Sequence, residues 1–445
     1  MSAHLFGNDF LWGVAIAAAQ NEGAYDADSR GLSIWDVFAK RSGKIKNNAT
    51  PYEACNFYYR YKDDLRLTKA LGFTVFRFSF SWSRIFPGGV GKANREGVAF
   101  YHHVIDECLS LGLIPFVTLY HWDLPHELQK EGGWASVQMQ KWFHHYVSFC
   151  AKEYGAKVKN WIILNEPMGF VSLGYMLGKH APGKTGIDTF FPAIHNAVIA
   201  QAAGGHIIRK LVSNANIGTT FSCSEVLPYT SKPEDIKAAN RMDLLLNRLF
   251  IEPALGMNYP YDDFPLMDKL YMHSKAWKYT QQMKFDFDFI GIQNYFPLVI
   301  KYNSLIPYVQ ASEVTAPARK VAHTAMKWEI NPESFYRVLK RFWNYEGVHN
   351  IIVTENGAAF KDVLVNGVIN DTARINYFKG YLKQLLKAKQ EGVNISGYFV
   401  WTLMDNFEWA EGYNPKFGIV HVNFKTQQRI IKNSGYWWKN FLKPS

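Results

Sequence analysis

The chain has 445 residues, of which 48% are apolar and 16% aromatic, so it can bury a large hydrophobic core. Its formal net charge is +11, but the basic residues are scattered, and the densest basic stretches, 40–46 and 425–432, are short. This distribution does not favour a nucleic-acid partner, because nucleic-acid sites concentrate basic side chains on one surface.

Eight apolar runs recur along the chain as candidate β-strands. They lie at 10–20, 73–80, 114–121, 160–166, 216–222, 288–296, 350–355 and 395–403. Helical patterns separate them, for example at 58–72, 98–112 and 373–392, and each of these three ends in glycine, a common helix stop. The alternation predicts a single (β/α)₈ TIM barrel over residues 1–445. We expect the longer spacings after strands five and six to be insertions on the face that carries the site.

Two glutamates stand where apolar runs end. Glu166 follows WIIL (161–164) in the motif Asn-Glu-Pro, and Glu355 follows IIV (351–353) in the motif Thr-Glu-Asn-Gly. Either motif alone could be an ordinary turn. Other runs also pass into polar and aromatic residues at their ends, at 76–84, 117–123, 290–296 and 398–409. This recurrence predicts the rim of an active site at the carboxyl ends of the strands.

A pair of carboxylates about 5 to 5.5 Å apart is the equipment of a retaining glycosidase, in which one is the acid/base and the other the nucleophile. The residues themselves do not tell which glutamate has which role. Arg77, on one strand face with Ser79 and Ser81, needs a carboxylate partner inside a barrel, and we expect Glu355 to be that partner and to stay ionised beside it. Tyr295 is expected to donate a hydrogen bond to the same carboxylate. A neighbouring anion is expected to raise the pKa of Glu166.

Seven motifs follow one another along the chain: AAAQNEGA (17–24), YHWDLP (120–125), LNEP (164–167), HAPG (180–183), QNYF (293–296), TENG (354–357) and WTLMDNFEWAEGY (401–413). This ordered set resembles glycoside hydrolase family 1, the β-glucosidase family. The resemblance covers nearly everything from residue 10 to about residue 441. It departs from the family at Asn21 and at NFYYRY (56–61). It implies a retaining β-glucosidase in which Glu166 is the acid/base and Glu355 the nucleophile.

The resemblance also implies a sugar-binding set. Gln20, His121, Asn165 and Glu408 would bind hydroxyl groups, with Asn165 reaching the 2-hydroxyl, and Trp401 and Trp409 would form the floor and wall of the glycone site. Trp328 would be the platform for the leaving group, the aglycone, whereas Met168 stands where many bacterial relatives have a tryptophan. Trp122, Asn294, Tyr295 and Phe417 complete the predicted substrate-binding residues.

Two residues limit the class of glycoside that we expect as the substrate. Glu408 is a carboxylate where members acting on 6-phosphorylated sugars carry a small residue, so we expect unphosphorylated β-glycosides. Glu166 stands where plant thioglucosidases have glutamine, which favours an O-glycosidase. Cellobiose, longer cello-oligosaccharides, aryl glucosides and plant glycosides remain open as substrates. Two alternatives also stay open: a sugar-binding pseudoenzyme on the same barrel, and a relative that prefers β-galactosides or β-fucosides.

No metal or cofactor is predicted. The four cysteines, Cys55, Cys108, Cys150 and Cys223, lie far apart without CxxC pairing, which indicates buried free thiols. The paired histidines at 102–103 and 144–145 lie in helical patterns, where adjacent side chains point apart. The N-terminal residues lack a signal-peptide pattern, and no stretch reaches the roughly 18 apolar residues of a membrane span, so we expect a cytoplasmic protein with no membrane partner.

Overall fold

The structure, a computed structural model, describes residues 2–261, 264–275 and 278–443. Eight parallel strands close into one barrel in chain order, which confirms the predicted (β/α)₈ fold. They are Leu11–Ala15, Val75–Ser79, Ile114–Tyr120, Asn160–Asn165, Asn216–Ser222, Phe289–Gln293, Ile351–Asn356 and Ile395–Trp401. Each lies within or overlaps one of the apolar runs seen in the sequence.

Helices surround the barrel. The longer ones are Phe57–Ala70, Arg95–Ser110, Met139–Tyr154, Ile187–Leu211, Pro233–Asp243, Pro265–Ser274, Pro332–Trp343, Thr372–Gln390 and Asn433–Phe441. Shorter helical turns include Ala18–Asn21, Ile34–Ala39, Trp82–Ile85, His126–Lys130, Pro167–Val171, Ser172–Met176, Leu244–Arg248, Ile251–Ala254 and Thr280–Met283. The first strand is shorter than predicted, because the chain turns into the helix Ala18–Asn21, so Gln20 lies on a helical turn rather than on a strand.

The interior of the barrel is layered. Six inward side chains, one from each of six strands, form a small apolar cluster that consists of Val75, Phe116, Ile162, Phe289, Ile352 and Phe399. Phe116 meets Phe399 edge to face, with ring centroids 5.0 Å apart. Two residues further along the strands, the inward positions become polar, with Arg77 and Thr118 above this cluster. The apolar layer therefore closes the barrel beneath the polar layer that carries the site.

The fourth and seventh strands each contain one irregularity near the carboxyl end. Ile162 and Asn165 of the fourth strand pair with Gly218 and Thr220, so three steps on one strand match two on its neighbour. On the seventh strand, Val353 and Glu355 pair with the consecutive residues Ile292 and Gln293. An extra residue of this kind changes which side chain faces inward. It brings Asn165 and Glu355 to the inner face, although strict alternation from Ile162 and Ile352 would have placed Leu164 and Thr354 there.

The predicted insertions are present after strands five and six. They carry a three-stranded sheet of Val226–Pro228, Leu298–Tyr302 and Ala311–Glu313, together with several of the helices named above. Two hairpins, Leu364–Val365 with Val368–Ile369 and Val420–Asn423 with Gln428–Ile431, lie outside the barrel. All four cysteines are buried and free. Among the helices that the structure describes, every one is too short or too polar to cross a lipid bilayer.

Candidate active site

A cavity of about 790 Å³ opens at the carboxyl ends of the barrel strands. Glu166 and Glu355 both line it, as do His121, Trp122, Tyr295, Trp328, Trp401, Glu408, Trp409 and Phe417. The two glutamates belong to the fourth and seventh strand ends, which are separated around the barrel by strands five and six. The structure therefore brings most of the predicted site residues into one concave space.

Glu355 is held by three donors. Arg77 Nη1 lies 2.5 Å from Glu355 Oε1, and Gln293 Nε2 donates to the same oxygen over 2.8 Å. The hydroxyl of Tyr295 donates to Glu355 Oε2 over 2.7 Å. Burial raises the pKa of Glu355, while Arg77 and Tyr295 oppose that rise by favouring the carboxylate. These contacts fix the orientation of Glu355 and stabilise its charged form against the effect of burial.

Glu166 has a different environment. It adopts φ 44° at the start of the helix Pro167–Val171, a conformation uncommon for a residue other than glycine. Burial, and after it the negative charge of Glu355, raises the pKa of Glu166 to about 8. The predicted cause of this rise was the neighbouring anion alone, whereas burial is the larger cause. Because Arg77 stabilises the charge on Glu355, the proton resides on Glu166 near neutral pH.

Asn165 shares two donors, Arg77 and Gln293, with Glu355. Its Oδ1 accepts hydrogen bonds from Arg77 Nη2 over 2.5 Å, Gln293 Nε2 over 2.8 Å and Thr220 Oγ1 over 3.1 Å. Its Nδ2 lies 3.0 Å from His121 Nε2. Since the oxygen is fully engaged, a substrate hydroxyl can be reached only by the Nδ2 group. The predicted contact to the 2-hydroxyl therefore requires Asn165 to act as a donor.

Four rings form one continuous wall. Trp122 and Trp409 stack with centroids 4.7 Å apart, and the His121 ring lies 5.9 Å from Trp409 and 6.0 Å from Trp401. The indole N–H of Trp122 donates to the Asn165 carbonyl over 2.9 Å. Burial, with the nearby charge of Arg77, lowers the pKa of His121 well below its usual range. His121 is therefore neutral, and with Nε2 accepting from Asn165 Nδ2 it offers a sugar the N–H at Nδ1 rather than a charge.

Glu408 stands beside this wall. Gln20 Nε2 donates to the Phe407 carbonyl over 2.9 Å and lies 3.4 Å from Glu408 Oε2. Burial, followed by the charge of Glu355, raises the pKa of Glu408 to about 8. The motif around Glu408 predicts an ionised carboxylate. In the free site it is instead mostly protonated at neutral pH, because it is buried near another anion, so it can donate as well as accept a hydrogen bond.

A second group of aromatic rings lines the cavity around Trp328, which stacks on Phe296 with centroids 4.8 Å apart and planes 14° apart. Phe417 lies 5.9 Å from Trp328. Three of the predicted binding residues, Gln20, Asn165 and Asn294, are buried and do not line the cavity themselves. Asn294 donates through Nδ2 to the Cys223 carbonyl over 2.7 Å. Asn294 thus ties the ends of strands five and six together.

Sequence reasoning missed three contributing side chains: Gln293, Thr220 and Ser222. Gln293 bonds both Glu355 and Asn165, Thr220 bonds Asn165, and a hydrogen bond from Ser222 lowers the pKa of Glu166. Gln293 ends the apolar run FIGI and lies four residues beyond the inward Phe289, so alternation along the strand could have placed it inside. Among the residues that the structure describes, there is no group of three or more His, Cys, Asp or Glu side chains arranged to hold a metal ion.

The sequence model of glycosyl hydrolase family 1 matches residues 2–445. The chain belongs to glycosyl hydrolase family 1. A family 1 relative, beta-glucosidase A from Thermotoga maritima, is 41% identical over 445 residues, which is 100% of this chain and 99% of the relative. The 1,4-beta-D-glucan glucohydrolase of Thermotoga neapolitana is 41% identical over 441 residues, 98% of each protein.

Solved structures of the family share the fold. The Thermotoga maritima family 1 glycoside hydrolase, solved in complex with a cyclophellitol analogue described as a transition state mimic, superposes with a TM-score of 0.94. The two chains are 41% identical, and the match covers 98% of each. A second structure, beta-glucosidase from the same organism in complex with glucoimidazole, has a TM-score of 0.93 and 41% identity and covers 97% of each chain. These family 1 structures have the same closed barrel as this chain.

Proposed function

We propose that this chain is a retaining β-glucosidase that removes terminal non-reducing β-D-glucosyl residues from unphosphorylated β-glucosides, cello-oligosaccharides included, by double displacement. The observation that carries the proposal is the contrast between two glutamates on one cavity. Glu355 is paired with Arg77 at 2.5 Å, whereas the pKa of Glu166 is raised to about 8. A site with one stabilised carboxylate and one retained carboxylic acid fits a nucleophile and a proton donor.

In the first step, Glu355 attacks the anomeric carbon while Glu166 transfers its proton to the departing glycosidic oxygen. The aglycone leaves as a neutral alcohol, and glucose remains bound to Glu355 through an ester linkage on the α face. In the second step, the Glu166 carboxylate accepts a proton from water, which attacks the anomeric carbon and releases β-glucose. Glu166 thereby recovers the proton with which it began, and no metal or cofactor takes part.

The glycone site is assigned to the aromatic wall and the polar groups around it. Trp401 and Trp409 supply flat surfaces for the apolar faces of the sugar, and Glu408 and Gln20 bind its outer hydroxyl groups. His121 and the Nδ2 group of Asn165 bind hydroxyls near the reacting carbon. Among the described residues that line the cavity there is no Lys or Arg, so a 6-phosphate would be buried without a cationic partner.

We also propose that the 445 residues act as one catalytic domain in the cytoplasm, since all four cysteines are free and buried. Its partners are small-molecule β-glycosides, and no nucleic-acid or membrane partner is invoked.

The test is a rate comparison on para-nitrophenyl β-D-glucoside, β-D-galactoside and β-D-fucoside with the pure protein. The glucoside is expected to be hydrolysed, and Glu355→Gln and Glu166→Gln are each expected to slow it by about 10² or more. Glu333→Gln is the matched control, because the Glu333 side chain is 75% exposed on an outer helix. Sugar binding without hydrolysis of any of the three would contradict the proposal, and faster cleavage of the galactoside or fucoside would contradict the glucose assignment.

A further inference from the structure

The part of the cavity away from the glycone wall has an unusual lining. It is formed by the helical turns after strand four and by the insertions after strands five and six, and almost all of its side chains are apolar. We propose that this apolar chamber binds a bulky hydrophobic aglycone. The preferred substrates are then β-glucosides of large apolar alcohols or phenols, rather than cello-oligosaccharides. This inference rests on the proposed function and narrows its substrate class.

One side of the apolar chamber comes from the helical turns that follow Glu166. Met168, Leu173, Met176 and Leu177 all line the cavity there. The single hydroxyl on this side, that of Ser172, lies 3.1 Å from the sulfur of Met168 and points along the helix to it. Methionine is flexible and polarizable, so this side adapts to irregular apolar groups better than to a fixed pattern of sugar hydroxyls.

The facing side comes from the insertion after strand five. Met242, Leu245 and Leu246 lie at the end of one helix and in the turn that follows, and Leu266 comes from the next long helix. Leu245 and Leu266 are 6% and 3% exposed, so they are packed into the hydrophobic core while they line the cavity. Phe190, from the long helix Ile187–Leu211, joins this side.

The rim of the chamber and the aromatic surface next to it are also apolar. Ile306, Pro307 and Val309 line the mouth from the loop between two strands of the small sheet. Trp328 supplies a flat aromatic surface, and Phe296 stacks on Trp328 and supports it. The whole cavity, at about 790 Å³, lies near the upper end of the range of about 300–1,000 Å³ for small-molecule sites. After one sugar ring is seated, room for a multi-ring or long-chain group remains.

The distribution of polar groups argues against a second sugar in this chamber. Among the described residues that line the cavity outside the glycone wall, the polar side chains besides the glutamates and Tyr295 are Ser172, His180, Ser222 and Tyr308. The His180 ring packs against Trp122, with centroids 5.7 Å apart. Ser222 is engaged with Glu166 and Ser172 with Met168. A second glucose brings several hydroxyl groups, and each one buried without a partner lowers affinity about fivefold to a hundredfold. An apolar aglycone of the same size incurs no such loss.

The first test is a series of alkyl β-D-glucosides from ethyl to octyl, kept below their micelle concentrations, with cellobiose and cellotriose alongside. The leaving alcohols of the series differ little in acidity, so the change in kcat/KM reports burial of the chain. We expect kcat/KM to rise about two- to fourfold for each added methylene until the chamber is filled. We also expect kcat/KM to be higher for octyl glucoside than for cellobiose.

The second test uses variants at the chamber. Leu173→Asn and Ile306→Asn are each expected to lower the octyl-to-ethyl ratio of kcat/KM at least fivefold. Leu305→Asn is the matched control, because Leu305 neighbours Ile306 but is 85% exposed and does not line the cavity, and its ratio should stay within twofold of the wild type. Circular dichroism confirms that each variant is folded.

A flat or falling ratio along the alkyl series, or a preference for cellotriose over octyl glucoside, would overturn this inference and leave β-glucosidase activity in place. A failure to cleave even ethyl and para-nitrophenyl glucosides would instead overturn the proposed function itself.

Discussion

Arg77 Nη1 lies 2.5 Å from Glu355 Oε1, and the two side chains are only 1% and 5% exposed. A buried ion pair of this kind cannot lose one partner without leaving an uncompensated charge, at a cost of about 3–5 kcal/mol. The same guanidinium holds Asn165 through Nη2. Arg77 therefore links the ionisation of one glutamate to the position of the residue next to the other.

The first prediction concerns this pair. Arg77→Met should raise the pKa of Glu355 by about 1–3 units, because the nearby positive charge is lost. The acidic side of the kcat/KM profile on para-nitrophenyl β-D-glucoside should then move up in pH by the same amount. Arg77→Lys keeps a charge and should shift it less. An unchanged acidic side in a variant that circular dichroism shows to be folded would mean that Arg77 does not govern the ionisation of Glu355.

A second prediction tests Glu355 as the nucleophile. Glu355→Gly should lose nearly all turnover and regain part of it with formate or azide, because a small anion can enter the space left by the carboxylate. With azide, the product should be the α-glucosyl azide, since attack comes from the face opposite the leaving group. Glu355→Gln fills the same space and should not be rescued. Near wild-type activity in the glycine variant would remove Glu355 from this role.

The third prediction tests Glu166 as the proton donor. Glu166→Ala should slow β-glucosides with poor leaving groups by about 10² to 10⁴, but hardly slow formation of the glucosyl-enzyme from 2,4-dinitrophenyl β-D-glucoside. Added azide should give the β-glucosyl azide here, the opposite anomer to that from Glu355→Gly. Equal losses on both classes of substrate, in steady-state and burst measurements, would argue against this assignment.

The same residue sets the alkaline side of the pH profile. Because the pKa of Glu166 is raised to about 8, the acid form persists through neutral pH, and kcat/KM should fall as the pH rises through about 8. Glu408 has a similarly raised pKa, so the two must be separated by mutation. Glu408→Gln should keep the fall and Glu166→Ala should abolish it for activated substrates; the reverse pattern would assign the fall to Glu408.

The last mutational prediction concerns the glycone site. Glu408→Ser should lower kcat/KM on β-glucosides by about 10² or more and lower kcat as well as affinity, because binding energy from a remote hydroxyl is expressed at the reacting carbon. Glu408→Gln retains one donor and one acceptor and should lose less. Glu408→Ser also removes the buried carboxyl group that would repel a phosphate whenever it is ionised, so discrimination against 6-phosphoglucosides should relax. Unchanged kcat/KM on glucosides would mean that Glu408 does not contact the sugar.

Much of this molecule could be read from its sequence. The eight apolar runs predicted the barrel, and the polar and aromatic residues at their ends predicted the rim of the site. What alternation could not give was the inward position of Glu355 and Asn165. A strict period of two groups Glu355 with Val353 and Ile351, which face away from the barrel interior, and only the extra residue in each of strands four and seven reverses this.

Other features of the site could not be predicted because they are formed by residues that lie far apart in the sequence. The apolar chamber draws Leu173, Leu245 and Ile306 from three separate segments whose sequences carry no shared period, so their meeting could not be predicted. The protonation of Glu408 near neutral pH could not be predicted for a related reason. Its pKa reflects burial beside Glu355, and neither the burial nor the neighbour is visible in the local motif FEW.

The most direct test of the whole account is the anomer released first. Hydrolysis of para-nitrophenyl β-D-glucoside, followed by proton NMR within the first minutes, should show β-glucose appearing before mutarotation produces the α form. Double displacement through Glu355 and Glu166 requires this order. If α-glucose appears first, the reaction proceeds by a single displacement, and the roles assigned to both glutamates are contradicted.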